Sequence, residues 1–69
     1  MKMLPVLSTS IHSVGHDGDS TMRVQFIGGG LYEHHSVSAA QFQALLAAPS
    51  VGKHYATHHR GINYRKVGG

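Results

Sequence analysis

Residues 38–49 read SAAQFQALLAAP and predict the main helix of the chain. Ser38 and Gln41 have the spacing of a capping box, in which each side chain accepts a hydrogen bond from a free backbone amide at the helix start. Apolar residues then recur at helical spacing and form one stripe: Phe42, Leu45 and Leu46. Pro49 ends the helix because it lacks an amide hydrogen and its ring clashes with the preceding turn. We therefore expect a helix over Ser38–Ala48 that covers one face of a sheet.

The residues before this helix predict the strands of that sheet. Three short segments are rich in strand-forming residues, namely Ile11–Val14, Met22–Phe26 and Leu31–His34. Turn-forming residues connect the first two segments at Asp17–Ser20, and three glycines connect the second to the third at Gly28–Gly30. Because these glycines precede a strand and not a helix, a hairpin turn explains them better than a phosphate-binding loop. Two consecutive hairpins are predicted.

The residues after the main helix predict a second helix and a last strand. Ser50 is placed to cap a shorter helix over Val51–Arg60, which would end at Gly61. Ile62–Val67 has the alternation of a strand and is expected to return to the sheet edge, where its charged side chains discourage further pairing. The last two residues, Gly68-Gly69, are predicted to be frayed.

These segments together predict a single α+β domain over residues 1–69, with its folded core at about residues 8–67. Its architecture would be a small antiparallel sheet of three or four strands, packed against one main helix and a short second helix. The residues expected in the hydrophobic core are Ile11, Val14, Val24, Phe26, Tyr32, Val37, Phe42, Leu45 and Leu46.

The small size and the composition limit how the chain is stabilised and where it resides. A domain of 69 residues has a thin core, so we expect a homodimer or a complex with a partner to help stabilise it. The absence of cysteine excludes disulfides and thiolate zinc sites and indicates a reducing, cytoplasmic location. Residues 1–7 contain an apolar run too short for a secretory signal or a membrane span, and predict a loose lead-in.

The positive charge is concentrated near the C-terminus. The formal net charge is +3 with neutral histidines, and residues 51–69 contain no acidic residue. Single-stranded nucleic acids are held by basic side chains along the backbone and by aromatic faces against the bases. The candidate residues for binding nucleic acid or another partner are Lys53, Tyr55, Arg60, Tyr64, Arg65 and Lys66. Structural alternatives are core packing for Tyr55, shielding of a sheet edge for Tyr64 and capping of helix carbonyls for Arg60.

The sequence predicts neither an enzyme nor a cofactor or metal site. Its only acids are Asp17, Asp19 and Glu33, and the two aspartates lie in a turn that favours local backbone hydrogen bonds. His54 and His58 would share a helix face, as in two-histidine metal sites, but no third ligand accompanies them. The seven histidines are therefore interpreted as packing or surface residues. Their protonation near pH 6.5 would strengthen binding to a polyanion.

Short motifs follow each other through almost the whole chain. They are Ser10-Ile11, Gly15-His16-Asp17, Val24-Gln25-Phe26, Tyr32-Glu33-His34, Ala48-Pro49-Ser50-Val51-Gly52, His54-Tyr55, Arg60 and Tyr64-Arg65. In this order and spacing they resemble the KTSC domain, a small module named for its place at the C-terminus of some lysyl-tRNA synthetases. The resemblance runs from about Ser8 to Val67, with Tyr32 and His34 at the central motif of the family. Histidine stands at His16, His34 and His54 where the family has aromatic residues.

The resemblance implies two different functions. It implies a small α+β domain, and the association with tRNA synthetases implies a non-catalytic module that binds RNA or single-stranded nucleic acid. Single-domain members of the family also occur in bacteria and on phage or prophage elements. That context implies the alternative, a protein-interaction or inhibitor module that binds a host protein.

Overall fold

The segments in which apolar and polar residues alternate form a sheet. The capped segment with the apolar stripe forms a helix on one face of that sheet. The computed structural model describes residues 1–68. Its elements are β1 (Met3–Pro5), β2 (Ile11–His16), β3 (Met22–Phe26), β4 (Leu31–His34), α1 (Ala39–Ala47), α2 (Val51–His58) and β5 (Tyr64–Gly68). The predicted α+β class with a main and a second helix is confirmed.

The strands form one antiparallel sheet in the order β1-β2-β3-β4-β5, so each strand pairs with its neighbour in sequence. Both helices lie in the connection between β4 and β5. Val14, Val24 and Tyr32 are register partners across three strands and share one face of the sheet. Val14 and Val24 belong to the same core cluster as residues of both helices, so α1 and α2 cover that face.

The sheet has five strands and not the three or four predicted, because residues 3–5 form β1 instead of a loose lead-in. Met3 and Pro5 pair with Gly15 and Ser13 of β2. The close approach depends on Gly15, where a Cβ atom would lie 2.7 Å from the carbonyl oxygen of Lys2. A strand of three residues has no alternation long enough to be recognised, and its partner determines its conformation.

Both helices begin with the predicted caps. The Gln41 amide donates to the Ser38 hydroxyl at 3.1 Å, and the Ser38 amide donates to the Gln41 side chain at 2.8 Å. The Ser50 hydroxyl accepts from the Lys53 amide at 3.3 Å and caps α2. The second helix ends at His58, earlier than predicted. The amides of His59 and Arg60 both donate to the Tyr55 carbonyl, so the regular helical hydrogen-bond pattern stops there.

The last strand begins two residues later and ends one residue later than predicted. The amide of Ile62 donates to the His59 carbonyl in a turn, and Asn63 has a positive φ of 45°, so β5 begins only at Tyr64. Gly68, predicted to be frayed, belongs to β5 and pairs with Leu31 of β4. Gly69 lies outside the described residues. Among residues 1–68, neither helix has the length and apolar character needed to cross a membrane.

The core lies between the helices and the covered face of the sheet. Six predicted members are buried there, namely Ile11, Val14, Val24, Val37, Phe42 and Leu45, and Phe26 and Leu46 pack against them while partly exposed. Tyr32 is half-buried and lies outside this cluster, which corrects its predicted place. Met22 and Val51 complete the core without having been predicted, and Tyr55 joins them in the core position that was the structural alternative for it. The second helix therefore contributes two residues, Val51 and Tyr55, to the core.

Candidate ligand-binding pocket

Five aromatic rings form a closed circuit on the helix-covered side of the sheet, near its β5 edge. In order around the circuit they belong to Phe26, Tyr32, Tyr64, His34 and Tyr55. The distances between successive ring centroids are 5.5, 5.9, 6.2, 5.3 and 5.4 Å. Rings at these separations are in direct contact and prefer edge-on or tilted arrangements. Three strands and α2 thus position one aromatic cluster.

This cluster forms part of the wall of an open cavity of about 500 Å³. We call this cavity the aromatic pocket; it is lined by Ser10, Phe26, Gly29, Tyr32, Gly52, Tyr55, Ala56, Arg60, Gly61 and Tyr64. A volume of this size falls in the range of roughly 300–1,000 Å³ that is typical of small-molecule sites. Aromatic surface and a few polar groups at one concave place make it the candidate functional site.

His34 supports the pocket from beneath. Its side chain is fully buried, and its Nδ1 donates to the carbonyl of Ile62 at 3.0 Å while its Nε2 accepts from the Tyr55 hydroxyl at 2.8 Å. Burial lowers the pKa of His34, because an imidazolium loses its hydration there, although the hydrogen bond to Ile62 acts in the opposite direction. The neutral ring therefore ties α2 to the loop before β5.

Tyr55 forms the rear of the pocket and does not offer a free hydroxyl. Only 5% of the residue is exposed, and its hydroxyl proton is donated to His34. Burial raises the pKa of Tyr55 to about 12, so its hydroxyl remains protonated at neutral pH. Its contribution to a ligand is therefore the surface of its ring.

Arg60 supplies the charge of the pocket. It is exposed and lies in the loop between α2 and β5, where Gly61 adopts a positive φ of 75°. Among residues 1–68, no carboxylate lies within salt-bridge distance of the Arg60 guanidinium. The predicted alternative role, capping of helix carbonyls by its side chain, is not seen in the described hydrogen bonds. Its charge is therefore available to a ligand.

Several small residues complete the pocket lining, three of them glycines. Gly52 packs so closely on the turn before β2 that a Cβ atom there would lie 3.0 Å from the hydroxyls of Ser8 and Ser10. The Ser8 hydroxyl accepts from the amides of Ser10 and Ile11 at 3.2 and 3.1 Å and so orders this turn. The space beside Gly52 is thus filled by the two hydroxyls, whereas a Cβ atom at Gly61 would meet no other heavy atom within 4 Å, so the pocket is open at Gly61.

The other predicted binding residues lie at three different places. Lys66 is exposed beside the pocket, where it is the register partner of Tyr32. Lys53 lines a separate shallow groove with Pro49 on the outside of α2. Arg65 follows Tyr64 in β5 and therefore points to the opposite face of the sheet. The structure thus brings Tyr55, Arg60 and Tyr64 together, but not Lys53 or Arg65.

On that opposite face, Arg65 belongs to an ion cluster around Glu33. The carboxylate of Glu33 accepts from Arg23 at 3.0 Å and from Arg65 at 3.4 Å, with His35 at 3.4 Å. The hydrogen bond from Arg23 and the nearby positive charges hold the pKa of Glu33 below its usual value, against the effect of burial. Arg65 consequently has a structural partner, unlike Arg60.

Several histidines take the place of aromatic packing residues. His16 stacks on Phe42 with ring centroids 5.3 Å apart and donates through Nε2 to the Val37 carbonyl at 2.6 Å. His54 and His58 lie side by side on α2, with ring centroids 4.3 Å apart. No three metal-ligating side chains converge anywhere in the described part of the chain. The packing roles agree with the interpretation of the histidines from the sequence.

Sequence reasoning missed the contributions of Phe26, Ser10 and the glycines to the pocket. Phe26 has the pattern of a core residue, and it does pack against the core. It is only partly buried, however, and also lines the pocket. Gly29, Gly52 and Gly61 carry no chemical signal of their own. Their role follows only from the way the turn before β2, the β3–β4 turn and α2 meet.

Two of the comparisons with known proteins name the same family, the KTSC domain. A model of the KTSC domain matches residues 7–64 of the chain. An uncharacterized protein of Stutzerimonas stutzeri strain A1501 is 35% identical over 66 residues, which cover 94% of this chain and 93% of the relative. The crystal structure of a KTSC domain protein from Yersinia pestis superposes with a TM-score of 0.90 and 30% identity, and the match covers 97% of each chain.

Proposed function

This chain belongs to the KTSC domain family, and we propose that it is a non-catalytic module that binds RNA or single-stranded DNA through the aromatic pocket. The observation that carries the proposal is the position of Arg60 beside the exposed ring of Tyr64 in one concave site. Exposed bases stack on aromatic side chains, and their phosphates pair with arginine. Lys66 lies beside the same site and adds a second positive charge for the backbone.

The distribution of charge supports an anionic ligand. Among the described residues, all three acidic side chains lie outside the pocket lining, and Glu33 is already paired on the opposite face. The formal net charge of +3 attracts a polyanion over longer distances. Binding should therefore weaken steeply as salt increases, because each phosphate contact releases condensed counterions.

The first experiment compares two arginines of equal charge at different places. We expect Arg60→Gln to weaken binding of a labelled single-stranded RNA roughly 10- to 100-fold, because it removes a charge-assisted contact in the pocket. Arg65→Gln is the matched control, since it removes the same charge from the opposite face. Fluorescence anisotropy at about 50 and 200 mM salt measures both effects. Equal losses in the two variants would show that binding follows net charge and not the pocket.

A second comparison tests the aromatic contribution. Tyr64→Ala should weaken binding by about 1–3 kcal/mol because it removes a ring on which a base stacks. Ile62→Ala is the control, because Ile62 is 52% exposed, close to the 53% of Tyr64, but does not line the pocket. Circular dichroism confirms that each variant is folded before binding is measured. Unchanged affinity in Tyr64→Ala would remove stacking on this residue from the proposal.

A protein ligand is the competing proposal. The outer edge of β5 has no neighbouring strand among residues 1–68, and a partner chain binds such an edge through backbone hydrogen bonds. An inhibitor of a host protein would use this edge and would have no affinity of its own for nucleic acid. If the wild-type protein binds neither RNA nor single-stranded DNA at low salt, the nucleic-acid proposal fails and the protein ligand is favoured.

A further inference from the structure

We propose that the aromatic pocket accepts one unstacked nucleotide as a complete ligand, so that a free nucleoside monophosphate binds without the rest of a strand. This inference rests on the function proposed above and specifies its ligand. It predicts a site for one base with its phosphate, and not a groove that needs several consecutive nucleotides.

The extent of the site favours a single nucleotide. The pocket is one cavity of about 500 Å³, and its lining residues surround it on several sides. Lys66 is the one further basic candidate beside the pocket. The other two do not continue a track, because Lys53 lies in a separate groove and Arg65 on the opposite face of the sheet. Among the described residues, a strand that passed over the domain would therefore meet basic side chains at and beside this pocket, but no continuous basic path beyond it.

The shape of the walls favours a planar ring. Tyr32 and Tyr64 have ring centroids 5.9 Å apart, with their planes inclined by 36°, and Tyr64 is 53% exposed. Gly61 adds no side chain to the lining, and a Cβ atom there would meet no other heavy atom within 4 Å. A base can thus lie against the exposed ring of Tyr64, where base–aromatic stacking stabilises it.

The charge of the pocket selects a phosphate and rejects a cation. Clusters of aromatic rings also bind quaternary ammonium groups when no positive side chain is present. Here the only charged group among the described lining residues is Arg60, whose guanidinium would repel such a ligand. Arginine forms paired hydrogen bonds with phosphate, so an anionic ligand with a planar ring matches both parts of the site. The Ser10 hydroxyl adds a donor and an acceptor for the base edge or the sugar.

The experiment is a titration of the isotope-labelled protein with adenosine 5′-monophosphate, adenosine and inorganic phosphate, followed by NMR. The monophosphate should shift the amide signals of Gly52 and Gly61 and the ring signals of Tyr64 in a saturable way. Adenosine should bind the same residues roughly 10- to 100-fold more weakly, because it lacks the contact with Arg60. Inorganic phosphate alone should give smaller shifts, since it cannot stack.

Variants decide whether the pocket is responsible. In Arg60→Gln, the affinity for the monophosphate should fall to that for adenosine, whereas Arg65→Gln should bind like the wild type. The inference is overturned if the monophosphate gives no saturable shifts, or if the two arginine variants lose affinity equally. If an RNA strand binds in an Arg60-dependent manner but the monophosphate does not bind, the inference fails while the proposed function remains.

Discussion

Tyr55 stabilises the core and the pocket at the same time, which makes its hydroxyl a test of how the two are connected. The hydroxyl donates to the buried Nε2 of His34 at 2.8 Å. We expect Tyr55→Phe to lower the free energy of unfolding by about 1–3 kcal/mol, because it leaves that nitrogen buried without a partner. Urea denaturation measures the effect. Tyr64→Phe is the control, since none of the described hydrogen bonds involves the Tyr64 hydroxyl, and a loss as large as that of Tyr55→Phe would contradict the explanation.

Neighbouring residues in β5 show how far sequence reasoning extends at the scale of single residues. Tyr64 and Arg65 were predicted to act together because they are adjacent and carry complementary chemistry. Successive side chains of a strand point to opposite faces, so the structure separates them: Tyr64 lines the pocket and Arg65 pairs with Glu33. Which of the two residues shares the face of the pocket depends on the register of β5 against β4, where Tyr64 pairs with His34 and Arg65 with Glu33.

At the scale of elements, the stability of α1 tests its predicted orientation. Leu45 is fully buried, so Leu45→Ala should cost about 2–5 kcal/mol of stability through lost burial and a residual cavity. In a domain of this size, such a loss is enough to unfold much of the population. Leu7→Ala is the matched control, because Leu7 is 99% exposed and should change stability by less than about 0.5 kcal/mol. Thermal melts compare the variants, and a Leu45→Ala melt equal to that of the wild type would refute the observed packing.

The elements that sequence predicted well are those with local signals. The start of α1 depends on Ser38 and Gln41, whose side chains act within a single turn. The first and the last residue of α1 were each predicted to within one residue. The strand β1 has no such signal, because its conformation depends on pairing with residues 13–15 and on the close approach at Gly15. Elements stabilised by distant partners cannot be identified from their own residues.

For the whole molecule, two buried histidines make stability depend on pH. Burial lowers the pKa of both His34 and His59, and for His59 the neighbouring histidines act in the same direction. The unfolded chain therefore binds protons at a higher pH than the folded one. Their contribution to stability is complete above about pH 6.5 and is lost as the pH falls from there through the folded-state pKa values. Asp17 and Glu33, whose pKa values are also lowered, add a further loss at more acidic pH.

Urea denaturation between pH 8 and pH 5 tests this dependence. The free energy of unfolding should fall below about pH 6.5, before the carboxylates begin to titrate. His12→Gln provides the control for an exposed histidine and should keep the same profile. Constant stability from pH 8 to pH 5 would contradict the burial of neutral His34 and His59.

The sequence predicted which kinds of residue form the candidate site, but not which elements of the fold bring them together. Aromatic and basic residues in the C-terminal third indicated a binding surface, and three of the six candidates line the pocket. Phe26 and Tyr32 join them from β3 and β4, which are distant along the chain. The outline of a pocket formed by several elements depends on sheet register and helix placement, and these are properties of the whole fold.

The sheet order has a consequence for the sequence of folding events. Strands β1 to β4 pair across short connections, whereas β5 pairs with β4 only after residues 35–63 have been spanned. The entropic cost of closing a loop increases with its length, and local contacts form sooner than distant ones. We therefore expect β5 to dock last and to bring Tyr64 with it. A partly folded chain would have its hairpins and its helices but no completed site, so the ability to capture a ligand arises only when folding is complete.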